Sequence, residues 1–374
     1  MEIEIVDVLK TYSTKLNSWI ADRGYSLAMQ YSPNTYNYFF DIFRKKPSVK
    51  RYNCAAQPVS MSIVDGIYNK LCEFQPDIVY CTHFYPAIAL TNLKLIYEFP
   101  FKTFVTTLDY VVSTFWEAAV GTDYLCIPNE DFINDYINKG FQREQLLPYG
   151  IPVGENFFSV NSQKEAKKNL EIDQKKFTAL VIFGGGQWNG GFKIFKTLSK
   201  VANEDTQIIV INGKNKKDFD KIEKIKHFSP FKIINVGFTD NVDLYIDACD
   251  VVISKAGGLV TTECINKLKP MIITEKVYGQ ERHNLRYLQS KNAVLSFKNK
   301  KDLKNKINEL QRNQNLQVSL TKNLKSIRKN AIINLCKFML SQPIADYTKF
   351  IPKENVKKEV NIARKSAHKS LIKK

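Results

Sequence analysis

A stretch near position 255 combines a strand, a glycine pair and a polar helix start, and this combination suits the binding of an anion. Residues 250–263 read DVVISKAGGLVTTE. Glycines allow a ligand to approach the main chain, and the free N–H groups and positive dipole end of a helix attract phosphate. Glu263 is a carboxylate beside this anion site, which is unfavourable unless it faces hydroxyl groups. The stretch therefore predicts a nucleotide site in which Glu263 binds a ribose.

Further glycine-containing loops follow other apolar strands in the same half of the chain. Strands are predicted at residues 177–183, 207–211, 232–236 and 270–273. The loops after the first three contain Gly184, Gly185, Gly186, Gly213, Gly237 and Phe238. Neighbouring parallel strands end at one edge of a sheet, so these loops predict a phosphate-bearing ligand at that edge. Neither a P-loop pattern nor a dinucleotide fingerprint occurs at the start of a βαβ unit, which disfavours an ATPase or a dinucleotide-binding enzyme.

The first half of the chain also alternates strands with helices. Strands are predicted at residues 3–8, 77–83, 103–108 and 124–127, with helices between them. This rhythm is typical of a parallel, doubly wound α/β sheet, whose ligands bind beyond the carboxyl ends of the strands. His83 and Asp109 lie at two such ends and are candidate catalytic residues. The alternative for each is that it only caps the neighbouring helix.

Length and composition indicate a globular protein of about two domains. The chain has 374 residues, of which 44% are hydrophobic. A Pro- and Gly-rich stretch at residues 148–158 predicts a linker, so we expect domains at 1–150 and 151–340, followed by a C-terminal helix and basic tail at 341–374. The seven cysteines lack metal-ligand spacing and are expected to be reduced, with no metal site. No signal segment or membrane span is found, so a cytoplasmic protein is expected.

The net charge of +18 predicts attraction to a polyanion, either nucleic acid or an anionic membrane surface. An aromatic helical stretch at residues 14–43 is followed by a basic cluster, which suits a helix at a membrane interface; a buried aromatic helix is the alternative. The basic tail is compatible with an arm for either polyanion or with a solvated end. No nucleic-acid-binding motif is found, so nucleic acid is not expected as a partner.

Several of these residues also resemble one enzyme family. Residues 254–263 (SKAGGLVTTE), Pro270 and residues 279–284 (GQERHN) are similar to the corresponding segments of glycolipid-forming GT-B glycosyltransferases. These are the processive diacylglycerol glucosyltransferases and monogalactosyldiacylglycerol synthases, with MurG as a more distant relative. The resemblance runs from about residue 3 to about residue 330. It implies two Rossmann-like doubly wound domains that face a cleft and close on a UDP-sugar donor.

The resemblance also implies roles for individual residues. The glycines at 184–186 and 257–258 would face the diphosphate, and Gly237 with Phe238 would border the uracil. Glu263 would bind ribose hydroxyls, in agreement with the argument from charge. Gln280, Glu281 and Asn284 would contact the sugar. The remaining donor-binding candidates are Gly213, Lys255, Gly257, Gly258, Thr261 and Thr262.

One departure from the family pattern affects the catalytic half. Relatives begin with a strand followed by a glycine-rich loop that ends in histidine, and this loop supplies the candidate base. The sequence starts after it, so we expect the first strand and glycine loop of the N-terminal domain to be missing. This indicates either a start set too far downstream or an unusual, inactive member. If activity survives, Asp109 or His83 is the remaining candidate for accepting the proton of the acceptor hydroxyl.

The predicted function is transfer of a hexose from a UDP-sugar, UDP-glucose or UDP-galactose, to diacylglycerol or a glycosyl-diacylglycerol. The reaction would take place at the cytoplasmic face of the membrane, with the enzyme bound peripherally and with no tightly bound cofactor. The alternative is a non-catalytic or truncated paralogue that binds UDP-sugar without transfer. The sequence does not distinguish the sugar, the number of sugars added or the oligomeric state.

Overall fold

The computed structural model describes residues 1–19, 32, 34–35, 37–38, 41, 56–182, 191–202, 204–352 and 354–372. The chain divides into two compact units. The first comprises Met1–Leu108, Val112–Gly150 and Ile333–Lys374, and the second comprises Asp109–Val111 and Ile151–Ile332. The boundary at Gly150 falls inside the predicted linker. The residues after Ile333 belong to the first unit, whereas the sequence suggested a separate C-terminal segment.

The helices and strands have the following bounds. In chain order the described α-helices are α1 (Val8–Tyr12), α2 (Lys15–Trp19), α3 (Gln57–Ser62), α4 (Val64–Phe74), α5 (Phe84–Leu93), α6 (Ile133–Ile137), α7 (Gln163–Asn169), α8 (Gly191–Leu198), α9 (Lys216–Lys226), α10 (Val242–Ala248), α11 (Gly258–Asn266), α12 (Gln280–Ser290), α13 (Lys300–Arg312), α14 (Gln314–Ile327), α15 (Ala331–Leu340) and α16 (Val356–Ile372). The strands are β1 (Ile78–Cys81), β2 (Lys102–Thr106), β3 (Tyr124–Cys126), β4 (Leu146–Leu147), β5 (Phe177–Ile182), β6 (Thr206–Ile211), β7 (Lys232–Val236), β8 (Val251–Ser254), β9 (Met271–Thr274) and β10 (Leu295–Phe297).

The first unit contains a four-stranded parallel sheet in the order β1-β2-β3-β4. The order follows the chain without reversal, so the described part of this sheet has no switch point. Its core includes Phe104, Cys126 and Leu147, against which Leu335 and Phe338 of α15 pack. The apolar side chains of α15 therefore join the end of the chain to this sheet.

The basic C-terminal tail forms a helix, α16, for most of its length. Val356 and Val360 are buried, and α16 packs against α4 and α5 of the first unit. Two buried valines four residues apart lie on one face of a helix, which explains why this polar segment is held on the unit surface.

The strand predicted at residues 3–8 is wrong. Residues 1–7 have no regular structure, and α1 begins at Val8 with Asp7 as its cap, whose side chain accepts a hydrogen bond of 3.2 Å from the Lys10 amide. Ile3 and Ile5 are 70% and 93% exposed. Alternation predicts a strand only where one face is buried and a neighbouring strand completes the hydrogen bonds, and neither condition is met within the described residues. The predicted aromatic helix at 14–43 lies mostly outside the described residues; α2 is the described part.

The second unit contains a six-stranded parallel sheet in the order β10-β9-β8-β5-β6-β7. The central strands are almost fully buried runs of Val, Ile and Leu, as expected for a sheet covered by helices on both faces. The order reverses between β5 and β8, which pair directly. This reversal is the topological switch point, where ligands of doubly wound sheets bind beyond the strand ends.

The described cysteines and helices can be compared with the features sought in the sequence. All described cysteines are free thiols; Cys81, Cys126, Cys249 and Cys264 are buried, and Cys336 is exposed. In the part of the chain that the structure describes, no helix is both long and apolar enough to span a bilayer. The same residues contain no cluster of three or more side chains that could ligate a metal ion.

Candidate functional site

The turn from β8 into α11 presents unpartnered backbone donors at the switch point. Gly257 is the N-cap of α11 and contributes no side-chain cap. The first hydrogen bond of the helix runs from the Thr261 amide to the Gly257 carbonyl, at 2.9 Å. The amides of residues 258–260 have no acceptor among the described residues, and the first turn has no acidic side chain. Amides without an acceptor and the positive end of the helix dipole are the groups that an anion site needs, and the anion site itself stays a prediction.

The loops that follow β6 and β7 lie at the same edge of the sheet as this turn. Strands β8, β5, β6 and β7 are consecutive neighbours and parallel, so the described loops after β6, β7 and β8 share one edge. Gly213, after β6, has a φ of +55° and Gly237, after β7, has open space where a side chain would begin. Phe238 is 65% exposed, and the Lys214 ammonium lies 5.4 Å from its ring centre. The predicted loop of Gly184, Gly185 and Gly186 lies outside the described residues.

Glu263, on α11, carries a carboxylate without a partner. It is half-buried and has no hydrogen bond or ion pair with any described side chain. Burial raises its pKa from the ordinary value of 4.5 to about 7. A desolvated carboxylate with acceptor positions that no described group uses is suited to accept hydroxyl groups from a ligand.

Lys255 and Glu281 form an ion pair at the base of this turn. Their side chains are 19% and 8% exposed. The sequence treated them as separate ligand contacts, whereas the structure brings them together. Three donors on the ammonium and four acceptor positions on the carboxylate leave each group able to contact a ligand while paired. Gln280, the neighbouring candidate, is half-buried at the start of α12, which follows Gly279 at a φ of +55°.

Asn284 is enclosed by polar groups of the second unit. Its Nδ2 atom donates to Asp109 Oδ1 at 2.8 Å and to the Ala256 carbonyl at 3.0 Å. Its Oδ1 atom accepts the Tyr110 amide at 2.7 Å. The residue is 0% exposed, so it has no surface available to a sugar in this conformation. The role predicted for Asn284 as a sugar contact is therefore not supported by its geometry.

Asp109 has the environment of a general base. It is half-buried, and its Oδ2 atom has no hydrogen-bond partner among the described residues. Burial raises the pKa of Asp109 from 3.8 to about 6. The hydrogen bond from Asn284 and the charge of Lys255 lower this pKa, whereas the charge of Glu281 raises it further. A pKa near neutrality suits a group that removes a proton in a reaction. The structure thus brings together Asp109, Lys255, Glu281 and Asn284.

The threonines of α11 face inward. The Thr262 hydroxyl donates to the Gly258 carbonyl at 2.7 Å and lies 2.9 Å from the Tyr110 hydroxyl. Thr261 is buried, and its hydroxyl has no partner among the described residues. Neither side chain reaches the surface of the turn, because both are buried.

His83 lies in the first unit and has a structural role. It is the N-cap of α5, and its Nδ1 atom accepts a hydrogen bond of 3.3 Å from the Tyr85 amide. The rings of Phe84 and Tyr85 lie 4.1 and 4.8 Å from the imidazole, centre to centre, and this desolvation lowers the pKa of His83. A neutral imidazole whose Nδ1 is an acceptor is a poor candidate base. The capping alternative raised from the sequence thus describes His83; its catalytic role stays a prediction.

Tyr110 and Tyr287 are site residues that sequence reasoning missed. Their rings are stacked, with centres 5.3 Å apart and planes 6° apart. Tyr110 follows Asp109 directly, and Tyr287 lies one turn after Asn284 on α12, so both are neighbours of predicted residues. No periodicity in the sequence distinguishes them from the other tyrosines.

The fold is that of the GT-B glycosyltransferases, with two parallel-sheet α/β units. Solved structures of this fold are similar to the chain. MurG from Acinetobacter baumannii has a TM-score of 0.53 at 12% identity, over 77% of this chain and 80% of that one. Anabaena HepE, in complex with UDP and glucose, has a TM-score of 0.50 at 14% identity, over 76% and 82%.

Family models and curated relatives match both units. Residues 1–153 match the model for monogalactosyldiacylglycerol (MGDG) synthase, and residues 179–335 match that for the glycosyltransferase family 28 C-terminal domain. The chloroplastic monogalactosyldiacylglycerol synthase of Spinacia oleracea is 27% identical over 292 residues, which are 74% of this chain and 55% of that protein. The processive diacylglycerol beta-glucosyltransferase of Staphylococcus carnosus (strain TM300) is 21% identical over 322 residues, 84% of this chain and 80% of that protein.

These matches confirm the predicted resemblance of the chain to monogalactosyldiacylglycerol synthases and diacylglycerol glucosyltransferases. It spans about half the length of the plant synthases that it matches.

Proposed function

We propose that the protein is a UDP-sugar-dependent glycosyltransferase that transfers a hexose to diacylglycerol or a glycosyl-diacylglycerol. The observation that carries the proposal is that α11 holds both the amides of residues 258–260 and the carboxylate of Glu263, none of which has a partner among the described residues. A nucleotide diphosphate needs donors for phosphate and acceptors for ribose hydroxyls. The UDP bound in HepE supports the donor class, and the names of the curated relatives support the acceptor class.

The remaining donor contacts follow from the same edge of the sheet. The glycines at 184–186 and 257–258 would face the diphosphate, with the Lys255 ammonium beside them. Gly237 and Phe238 would border the uracil, and Gln280 and Glu281 would contact the hexose. Each role remains part of the proposal.

The proposed transfer uses Asp109 as the base. The Asp109 carboxylate takes the proton of the acceptor hydroxyl, and the oxygen attacks the anomeric carbon of the hexose. The bond from that carbon to the diphosphate oxygen breaks, and UDP leaves with the electron pair. The α11 amides and Lys255 stabilise the charge that develops on the leaving diphosphate. Asp109 then releases its proton to solvent.

We also propose that the protein binds peripherally to the cytoplasmic face of an anionic membrane. The net charge is +18, and Leu16 and Trp19 of α2 are 66% and 48% exposed. Exposed apolar side chains together with positive charge favour binding to an anionic lipid surface. Flotation with vesicles that contain anionic lipid should recover the protein, and recovery should fall with added salt; equal recovery with neutral vesicles would contradict an electrostatic contribution.

The proposed activity is tested by measuring UDP release with diacylglycerol vesicles and either UDP-glucose or UDP-galactose. We expect release that depends on both the donor and the lipid, and Glu263→Ala should abolish donor binding. Glu309→Gln on the exposed face of α13 is the matched control and should leave both unchanged. Binding of UDP-sugar without any release of UDP would favour the non-catalytic paralogue. Absence of UDP-sugar binding would overturn both the transferase and the non-catalytic paralogue.

A further inference from the structure

We propose that Asn284 is a positioning residue that holds Asp109 in place for proton transfer, and that it is not a ligand of the transferred sugar. This inference rests on the proposed function, because it assigns a task within the same reaction. It concerns a residue that the sequence pattern groups with Gln280 and Glu281 as a sugar contact. The hydrogen bonds of its carboxamide favour the different role.

Most of the hydrogen-bonding capacity of Asn284 is used within the protein. A primary amide has two N–H donors, and these are directed to Asp109 Oδ1 and the Ala256 carbonyl. The Oδ1 atom accepts the Tyr110 amide with one of its two acceptor positions. A sugar hydroxyl would have to displace one of these partners or reach the second acceptor position of Oδ1, and the side chain is 0% exposed.

The orientation of the amide is fixed by its three partners. Reversal of the amide would place its oxygen against a carboxylate and a carbonyl, and its NH₂ group against the Tyr110 N–H. All three contacts would become repulsive, so only one orientation satisfies the site. Asn284 therefore holds Asp109 in a single direction.

The same side chain connects Asp109 to the proposed diphosphate site. The Nδ2 atom that binds Asp109 also binds the carbonyl of Ala256, two residues before the first residue of α11. The side-chain amide of Asn284 therefore sets the distance between the Asp109 carboxylate and the backbone amides of residues 258–260, which have no acceptor among the described residues. Small displacements of a catalytic group reduce rate strongly, which gives such a connection functional value.

Two further contacts hold the segment that carries Asp109. The Tyr110 hydroxyl lies 2.9 Å from that of Thr262, and its ring stacks on Tyr287. These contacts restrain the backbone on the C-terminal side of Asp109. The hydrogen bond from Asn284 then determines which oxygen of the Asp109 carboxylate has a partner. Oδ1 is bound, and Oδ2 is left to accept a proton.

Removal of the Asn284 donor has a defined effect on the titration of Asp109. The charged groups that act on Asp109 are Glu281 from α12 and Lys255 from the turn before α11, and these two pair with each other. The Asn284 hydrogen bond stabilises the Asp109 anion and lowers its pKa. Without this donor the pKa rises, and the acidic limb of the rate profile moves to higher pH.

The test compares the kinetics and donor binding of the full-length wild type with those of Asn284→Ala and Asn284→Asp, where the second keeps the shape of the side chain but cannot donate when ionised. For both variants we expect kcat to fall about 10- to 100-fold, because Asp109 is retained but is no longer held in position. KM for UDP-glucose should change less than about threefold, because uniform donor binding is retained. The acidic limb of kcat should move to higher pH.

A structural control separates positioning from folding. Asn92 is also fully buried, and its amide donates to Gln57 Oε1 at 2.8 Å in the first unit. Asn92→Ala should lower Tm without moving the acidic limb. If the Asn284 variants behaved in the same way, with kcat of the folded fraction unchanged, the positioning role would be overturned.

The ratio of UDP-glucose affinity to UDP affinity distinguishes the sugar-ligand alternative. Calorimetric titration with both ligands should give the same ratio for wild type and Asn284→Ala. A ratio that falls, together with a raised KM, would show that Asn284 binds the sugar and would overturn this inference while the proposed function stands. A wild type that binds UDP-glucose without turnover would overturn the proposed activity itself, and with it any base for Asn284 to position.

Discussion

The hydroxyl of Tyr110 lies 2.9 Å from the hydroxyl of Thr262, on the helix whose first amides are unpartnered. These residues are 152 positions apart in the chain. Thr262 also donates to the Gly258 carbonyl, so the shared hydrogen must come from Tyr110. The segment Asp109–Val111 is thereby bonded to the helix that would bind the donor diphosphate.

Loss of the Tyr110 hydroxyl should have a small cost. Tyr110→Phe removes one hydrogen bond, and Thr262 keeps its bond to Gly258, so the free energy of unfolding should fall by about 1 kcal/mol. Tyr110→Ala also removes the buried ring that stacks on Tyr287, and the loss should reach about 3 to 5 kcal/mol. Denaturant unfolding measures both values. Equal effects of the two variants would mean that the ring contributes nothing.

Ionisation of Glu263 should oppose folding and support donor binding. Its pKa of about 7 in the folded protein lies above the ordinary 4.5, so the folded state binds the proton more tightly. The stability from this difference is fully present below pH 4.5 and is lost as pH rises through 7. Glu263→Gln should therefore be more stable than wild type at about pH 8, by on the order of 3 kcal/mol.

Donor binding provides a second measurement on the same variant. The ionised Glu263 carboxylate accepts hydroxyls more strongly than the neutral acid, so wild-type affinity for UDP-glucose should increase between about pH 6 and 8. The diphosphate of UDP-glucose does not titrate in this range, which isolates the protein group. Glu263→Gln should show weaker binding without this rise. A pH-dependent affinity that survives in the variant would assign the effect to another group.

Separation of the Lys255 and Glu281 pair should destabilise the second unit. Lys255→Met leaves the Glu281 carboxylate, 8% exposed, without its cation, and we expect a loss of about 3 kcal/mol. The double variant Lys255→Met/Glu281→Gln should recover most of this loss, because no buried charge remains. Lys306→Met removes a more exposed pair with Glu309 and should cost less than about 1 kcal/mol. If the double variant were no more stable than Lys255→Met alone, the two charges would not stabilise each other.

Two glycines should respond differently to alanine. Gly257 has an ordinary φ of −72°, and the nearest atom to an added Cβ is Lys255 Cε at 4.0 Å, so Gly257→Ala should change stability little. The methyl group would occupy space beside the free amides, and UDP-glucose affinity should fall at least about tenfold. Gly213→Ala should instead lose about 1 to 2 kcal/mol of stability because its φ is +55°. Unchanged donor affinity in Gly257→Ala would place the diphosphate elsewhere.

Part of the fold was predictable because its signals are local. Strands β5, β6, β8 and β9 of the second unit are buried runs rich in Val and Ile, and they lie, together with β7, where expected. β10 was missed since it has three residues, of which two are only half-buried. The predicted strand at residues 3–8 was wrong because alternation does not show whether a neighbouring strand is available.

The sequence by itself determined the glycine turn before α11, because a helix start leaves amides without intrahelical acceptors from local geometry alone. It also predicted Glu263 as a ribose ligand, from the chemistry of a carboxylate on that helix, and this role stays a prediction. Only the tertiary structure decided the partners of Asp109: the amide of Asn284 lies 175 positions away in the chain, and no local pattern encodes such a contact. The sequence also offered His83 and Asp109 as equal candidates at two strand ends. Only the tertiary structure shows how their surroundings differ: His83 caps a helix, whereas the Oδ2 atom of Asp109 has no partner among the described residues, and the catalytic role of each stays a prediction.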